Sequence, residues 1–351
     1  MDTLTHALSG ALIARATAPN AAAPDGLPLG RRIGVGFLAA AFPDLDIVVS
    51  YVSPLAYLFY HRGVTHSLIV LPLWALLLAS LCALAWRRGP GWRAYFGVIA
   101  WGMGIHIAGD WITSFGTIVF APLSDARYGI STTFIIDLWF TGIILAGLAA
   151  SVAWRRSGAP AIAGLAVLIG YVSFQYTLQQ RAVDSGTSYV LAAGLKEAKV
   201  TALPRPVSPF NWMVIVSEED RYHYSPVNLW RREPATLAPG AGFIERLSAP
   251  YLPVEQAVWT QAARYGVTPA EATLAKEVWR QPQLAFFRWF AEYPVLHKAE
   301  AGNPETCVWF QDLRFFTPGR SSWPFRYGLC REGDGPWAPF QLNGAQRVPV
   351  F

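Results

Sequence analysis

The chain has 351 residues, 53% of them hydrophobic and only 15% charged, against about 25% charged in ordinary soluble domains, which excludes disordered and fibrous classes. The net charge of +5 does not point to nucleic acid, because no basic run exceeds two adjacent Arg and those pairs flank apolar runs, where topology accounts for them. Residues 1–178 hold ten of the 28 basic groups, all Arg, and seven of the 23 acidic ones, all Asp, so a membrane part precedes a water-soluble part.

Taken in chain order, residues 3–17 carry apolar side chains at helical spacing and end at Arg15, which predicts a short span or a re-entrant helix. The apolar runs 33–52, 67–86, 94–112, 134–154 and 161–178 each approach the ~20 residues of a bilayer-spanning helix. The expectation is an all-α polytopic membrane helical bundle of five or six segments over residues 1–178, followed by a soluble α+β domain over residues 179–351. Arg31-Arg32, Arg87-Arg88 with Arg93, and Arg155-Arg156 occupy alternate connections, which the positive-inside rule assigns to the cytoplasm. Residues 53–66, 113–133 and everything after 178 then face outward, with Arg62 and Arg127 as exceptions. No basic region precedes the first helix, so no cleavable signal peptide is predicted.

In the soluble part, strands are expected at 212–216, 308–316 and 325–330, and helices at 254–265 and 269–289, the second started by Thr268 with Pro269 following. The Gly- and Pro-rich stretch 333–339 reads as loop. Cys82 lies in an apolar run as a small core residue, while Cys307 and Cys330 can pair if this part is exported. His223 and His297, without ligand spacing around them, read as surface or packing histidines.

Ionisable groups in membrane segments are costly, by ~2.5–3.5 kcal/mol each, and are functional candidates by default. Residues 1–178 contain four of the six His, namely His6, His61, His66 and His106, with Asp44, Asp46, Asp110 and Asp137 in or beside the apolar runs. His106 and Asp110, four apart, share one helix face as a two-ligand platform. His61 and His66 flank Gly63, where a turn followed by a helix near Thr65 brings the two rings together; Thr65 and Ser67 either cap that helix or orient an imidazole. Pro43 breaks an apolar run and is followed by Asp44 and Asp46, which point in different directions. Asp44 falls about halfway across the bilayer, so a site opening outward reaches to mid-membrane. Asp137 is either a metal ligand, a general base or an acid favoured by the helix N-terminus. Arg127 is suited to bidentate binding of phosphate or carboxylate.

Four motifs in order, Thr5-His6 in a Met-x-x-x-Thr-His-x-x-x-Gly opening, Pro43-Asp44-Leu45-Asp46, His61-Arg62-Gly63-Val64-Thr65-His66-Ser67, and His106-x-x-x-Asp110 followed by Thr113-Ser114-Phe115-Gly116-Thr117, resemble the YdjM-like membrane-bound metal-dependent hydrolases over about the first 180 residues. The resemblance implies a distant similarity to the zinc-dependent phospholipase C and P1-nuclease group, with His6, Asp44, Asp46, His61, His66, His106, Asp110 and Asp137 as the metal shell. The glutamate of the phospholipase shell has no counterpart, since no Glu precedes Glu197.

The expected function is hydrolysis of a phosphoester or other ester in a lipid or lipid-linked substrate, at a two- or three-metal site in the bacterial cytoplasmic (inner) membrane. Zinc suits the His and carboxylate donors, and manganese also fits a mixed N/O shell. Asp44, Asp46 or Asp137 would orient the attacking water, and Arg127 would hold the anionic group. Two other readings use the same residues: a non-catalytic envelope scaffold fixed by metals, and a metal or ion transporter, for which the polar groups fail to lead to both faces.

Overall fold

In the computed structural model, which describes residues 1–19, 26–87, 89–302, 304–320 and 323–350, Asp2 accepts the Thr5 N–H and starts α1 (Thr3–Ala16). The second helix, α2 (Leu29–Ala41), gives way at Phe42 to 3-10 turns running to Tyr51. Pro43 supplies the reason, since it has no N–H with which to close the turn onto Ala39 or Ala40. A short helix α3 (Pro54–Tyr60) and a single 3-10 turn over Val64–His66 follow. Ser67 accepts the Ile69 N–H at 3.1 Å and so leads into α4 (Leu71–Ala85). Then come α5 (Trp92–Trp111), α6 (Leu138–Ala153) and the long α7 (Ala159–Ala193). Arg88, half of one topological pair, lies outside the described residues.

The chain divides into two units, Met1–Val49 with Tyr60–Thr177, and Ser50–Phe59 with Leu178–Phe351. The second therefore takes in a segment that the sequence placed with the membrane part. In the first unit α1 packs on α2, α5 and α6, and α4 packs on α5. Contact between α1 and α2 is made backbone to backbone: a Cβ on Gly10 would lie 2.2 Å from the Gly36 carbonyl oxygen, an approach that only glycine allows. One apolar core joins Ala14, Ala39, Ala75, Tyr95 and Met103, and another Leu12, Phe140, Ile144 and Leu168.

Helices occupy all six apolar runs, but the count of five or six spans needs correction. Among the described residues two stretches are long and apolar enough to cross a membrane, Leu29–Tyr51 and Ala159–Ala193, with a third if the broken stretch Pro54–His66 plus Leu71–Ala85 is one crossing. With 14, 15 and 16 residues, α1, α4 and α6 fall short of ~20. The 20-residue α5 carries Arg93, His106 and Asp110, which lower its hydropathy.

Among the described residues the second unit holds two five-stranded sheets. The first comprises β1 (Lys199–Pro204), β2 (Asn211–Glu218), β3 (Arg221–Asn228), the two-residue β4 (Leu252–Pro253) and β5 (Thr260–Ala263), all antiparallel except β3 with β4. Leu178 and Ala182 of α7 bury against Ala202, Trp212 and Val214 of this sheet. Between these strands lies a short helix α8 (Phe243–Ser248). The second sheet is an antiparallel meander of β6 (Pro294–Ala301), β7 (Glu305–Asp312), β8 (Tyr327–Glu332), β9 (Ala338–Asn343) and β10 (Gln346–Pro349), preceded by α9 (Pro269–Trp279) and α10 (Ala285–Phe290). Cys307 and Cys330 face each other across β7 and β8 and are joined in a disulfide.

Two expectations here are corrected. Residues 254–265 form a 3-10 turn and the strand β5 rather than a helix, because this segment completes the open edge of β3 at Arg221–Tyr224. The helix expected over 269–289 is two helices, broken where Pro282 follows Gln281. Thr268 caps the first of them in a reciprocal box with Glu271.

Candidate metal centre

Four elements of the first unit bring the polar side chains together: α1 carries His6, the 3-10 turns after α2 carry Asp44 and Asp46, the Val64–His66 turn carries His66, and α5 carries His106 and Asp110. His66 Nε2 lies 3.5 Å from Asp44 Oδ1 and 3.3 Å from Asp110 Oδ2. His106 Nε2 lies 3.6 Å and 3.5 Å from the same two oxygens. A tetrahedron with metal–ligand bonds of ~2.0–2.2 Å has edges of ~3.3–3.6 Å, so these four atoms stand at the spacing of a coordination shell.

Their hydrogen bonding turns every lone pair inward. His106 Nδ1 meets the Ala40 carbonyl oxygen at 2.6 Å; that oxygen can only accept, so the ring proton sits on Nδ1 and Nε2 presents its lone pair to the centre. Asp44 uses Oδ2 to accept from Thr3 Oγ1 at 2.7 Å. Asp110 uses Oδ1 to receive Arg62 Nη2 at 2.9 Å, His6 Nε2 at 3.1 Å and the Met1 amino group. What remains is His66 Nε2, His106 Nε2 and Asp110 Oδ2, all buried and all without a hydrogen-bond partner. Buried acceptors facing one another without a donor are expensive, and a cation is the group that satisfies all of them together.

A second grouping, Asp46, His61 and His66, adjoins the first. His61 Nδ1 donates to Asp46 Oδ1 at 2.9 Å, and Thr65 Oγ1 lies 3.3 Å from Asp46 Oδ2 and 2.9 Å from His66 Nδ1. Gly63 precedes this turn, and the His61 and His66 rings meet edge to face at 5.6 Å. A third grouping, Glu305 with Cys307 and Cys330, has both sulfurs in the disulfide.

The other candidates lie differently. His6 reaches the centre by stacking on His106 at 3.7 Å and bonding Asp110 Oδ1, the oxygen turned outward from the four donors. Asp137 is not brought to the cluster: it caps α6 through the Trp139 and Phe140 N–H groups, both at 2.9 Å, and accepts from Tyr171 and Gln175. Arg127 donates Nη2 to the Phe115 carbonyl at 2.7 Å and lies over the Phe115 ring, whose edge meets His61. In the second unit His223 hydrogen-bonds Tyr189. Sequence reasoning missed Thr3 and read Arg62 only as a topological exception; its place between His61 and His66 was the available signal.

These features define a membrane protein whose helical part gathers a buried His and Asp cluster able to hold a metal ion. A model of the YdjM inner membrane protein family matches residues 1–182, and the chain belongs to that family. It is also similar to the Uncharacterized protein YfhP of Bacillus subtilis (strain 168), 23% identical over 185 residues that make up 52% of this chain and 55% of the relative; the match spans about half the relative's length. No solved structure matches the chain, so the likeness to the phospholipase C and P1-nuclease group rests on motif resemblance alone.

Proposed function

We propose that the chain is a membrane-embedded, metal-dependent hydrolase of a phosphoester or other ester in a lipid or lipid-linked substrate. The convergence of three buried, partnerless acceptor atoms with Asp44 Oδ1 carries this reading. Two imidazoles and two carboxylates without thiolate favour zinc, and manganese tolerates the same mixed shell. When bound, such an ion supplies a Lewis acid for the ester and lowers the pKa of an attacking water.

The residues of the chain divide the remaining work. Asp44 is the donor with access to the surroundings, its side chain 10% exposed where those of His66, His106 and Asp110 are at 0%. A substrate therefore approaches from the Asp44 side, where Asp44 Oδ1 would face the ion and Thr3 fixes Oδ2. Arg127, beside Phe115, supplies positive charge for an anionic head group. Helices surround the cluster, so a lipid entering sideways meets it without leaving the bilayer. A multi-pass inner-membrane topology, with the second unit on the periplasmic or extracellular side, agrees with the paired arginines and with the disulfide.

Four protein donors around one ion also describe a closed structural site, which favours a metal-stabilised scaffold as the second reading. Metal analysis of detergent-purified full-length protein lacking a His tag, followed by release assays on phospholipids and lipid phosphates, separates them. Bound zinc with hydrolysis that chelation abolishes and added zinc restores supports the enzyme; bound zinc with no turnover on any of these esters supports the scaffold.

A further inference from the structure

We infer that the cluster holds a single ion, in the four-donor group, and that Asp46, Thr65 and His61 form a hydrogen-bonded brace that positions His66. The inference rests on the metal-binding part of the proposed function and assigns roles within it. Two or three ions were expected from the residue count, and the donors of the two groupings tell them apart.

In the first grouping three of four donor atoms are buried and lack any partner. In the second, the donor atoms satisfy one another. Thr65 has a single hydroxyl proton, and the carboxylate of Asp46 can only accept; the proton of Thr65 Oγ1 therefore goes to Asp46 Oδ2, and Thr65 Oγ1 in turn accepts from His66 Nδ1–H. His61 Nδ1 donates to the other Asp46 oxygen. Both Asp46 oxygens are thus engaged, and His66 Nδ1 carries a proton and cannot ligate a second ion.

The distances agree. His61 and Asp46 stand 2.9 Å apart, a hydrogen bond, whereas the four edges of the first grouping all lie between 3.3 and 3.6 Å. Through Thr65, Asp46 does for His66 what the Ala40 carbonyl does for His106: it fixes the tautomer and aims Nε2 at the ion. Metal-binding histidines ordinarily have such a partner, and its loss costs ~10–100-fold in affinity. Asp46 and Thr65 are accordingly positioning residues.

The test uses the full-length protein in detergent, stripped with chelator and titrated with zinc against a chromophoric competitor, with stoichiometry from plasma mass spectrometry. One ion per chain is expected in the parent, in Asp46→Asn, in Thr65→Val and in His61→Ala, with ~10–100-fold weaker binding in the first two variants and none in His106→Ala or Asp110→Asn. Monodisperse gel filtration shows that each variant is folded. Two ions in the parent, falling to one in Asp46→Asn or His61→Ala, overturn the inference and leave the hydrolase reading standing. Unchanged affinity in both Asp46→Asn and Thr65→Val overturns the brace. One ion without turnover removes the hydrolase and leaves this inference intact, and zinc absent from the parent removes both.

Discussion

Arg62 holds its Nη2 2.9 Å from Asp110 Oδ1 with both side chains almost wholly buried. Its backbone sits at φ 62°, in the left-handed region that residues other than glycine rarely adopt, and its Nη1 donates to Thr113 Oγ1 at 2.8 Å. Arg62→Met removes one of the two cations that face the buried Asp110 carboxylate. With the Met1 amino group and His6 still on the same oxygen, we expect the metal-free protein to lose about 1–3 kcal/mol, seen as a lowered unfolding temperature in detergent; a loss below about 1 kcal/mol would show that the pair does not carry the charge of Asp110.

The glycine contact between α1 and α2 makes a steric prediction. A Cβ on Gly10 meets the Gly36 carbonyl oxygen at 2.2 Å and the Ala40 Cβ at 2.4 Å, whereas one on Gly30 meets nothing within 4 Å. Gly10→Ala should destabilise by about 1–3 kcal/mol and weaken zinc binding, because Thr3 and His6 ride on α1. Gly30→Ala should change neither. Equal behaviour of the two variants in thermal unfolding and zinc titration would show that this helix contact does not set the site.

The three cysteines should divide by reactivity. Cys307 and Cys330 are bonded and Cys82 is a free thiol, so denatured protein from cells lysed in alkylating reagent should take one label before reduction and three after. Three labels before reduction would place the second unit in a reducing compartment and contradict the outward topology.

Burial pushes the Tyr251 phenol up to about 12, and its hydroxyl has no hydrogen-bond partner. An unfolded tyrosine titrates near ~10, so the folded unit favours the neutral form. This contribution is fully present below pH ~10 and is lost as pH rises toward about 12. Tyr251→Phe should raise the midpoint of alkaline unfolding, followed by near-ultraviolet dichroism, and cost little at neutral pH. A midpoint that stays put or falls would mean that the phenol has a partner in solution.

Hydrophobic periodicity located every helix of the first unit, because a run of apolar residues has few other ways to bury itself. It did not fix how many cross a bilayer, since the flanks of some runs went into turns: residues 67–70 lie ahead of α4, and Asp137 caps α6, which begins only at Leu138. The His106 and Asp110 pair was legible from helical spacing, and the approach of His61 to His66 from Gly63. Asp137 was indistinguishable in sequence from a ligand, as nothing local tells that Tyr171 and Gln175, more than thirty residues on, will claim its carboxylate. Residues 254–265 have a helix-like apolar pattern, which the unpaired edge of β3 overrode.

The carbonyl of Ala40 belongs to the main chain, and no replacement of the Ala40 side chain deletes it. A mutational scan that trims side chains one at a time would therefore pass over the group that selects the tautomer of His106 and record position 40 as a matter of size alone.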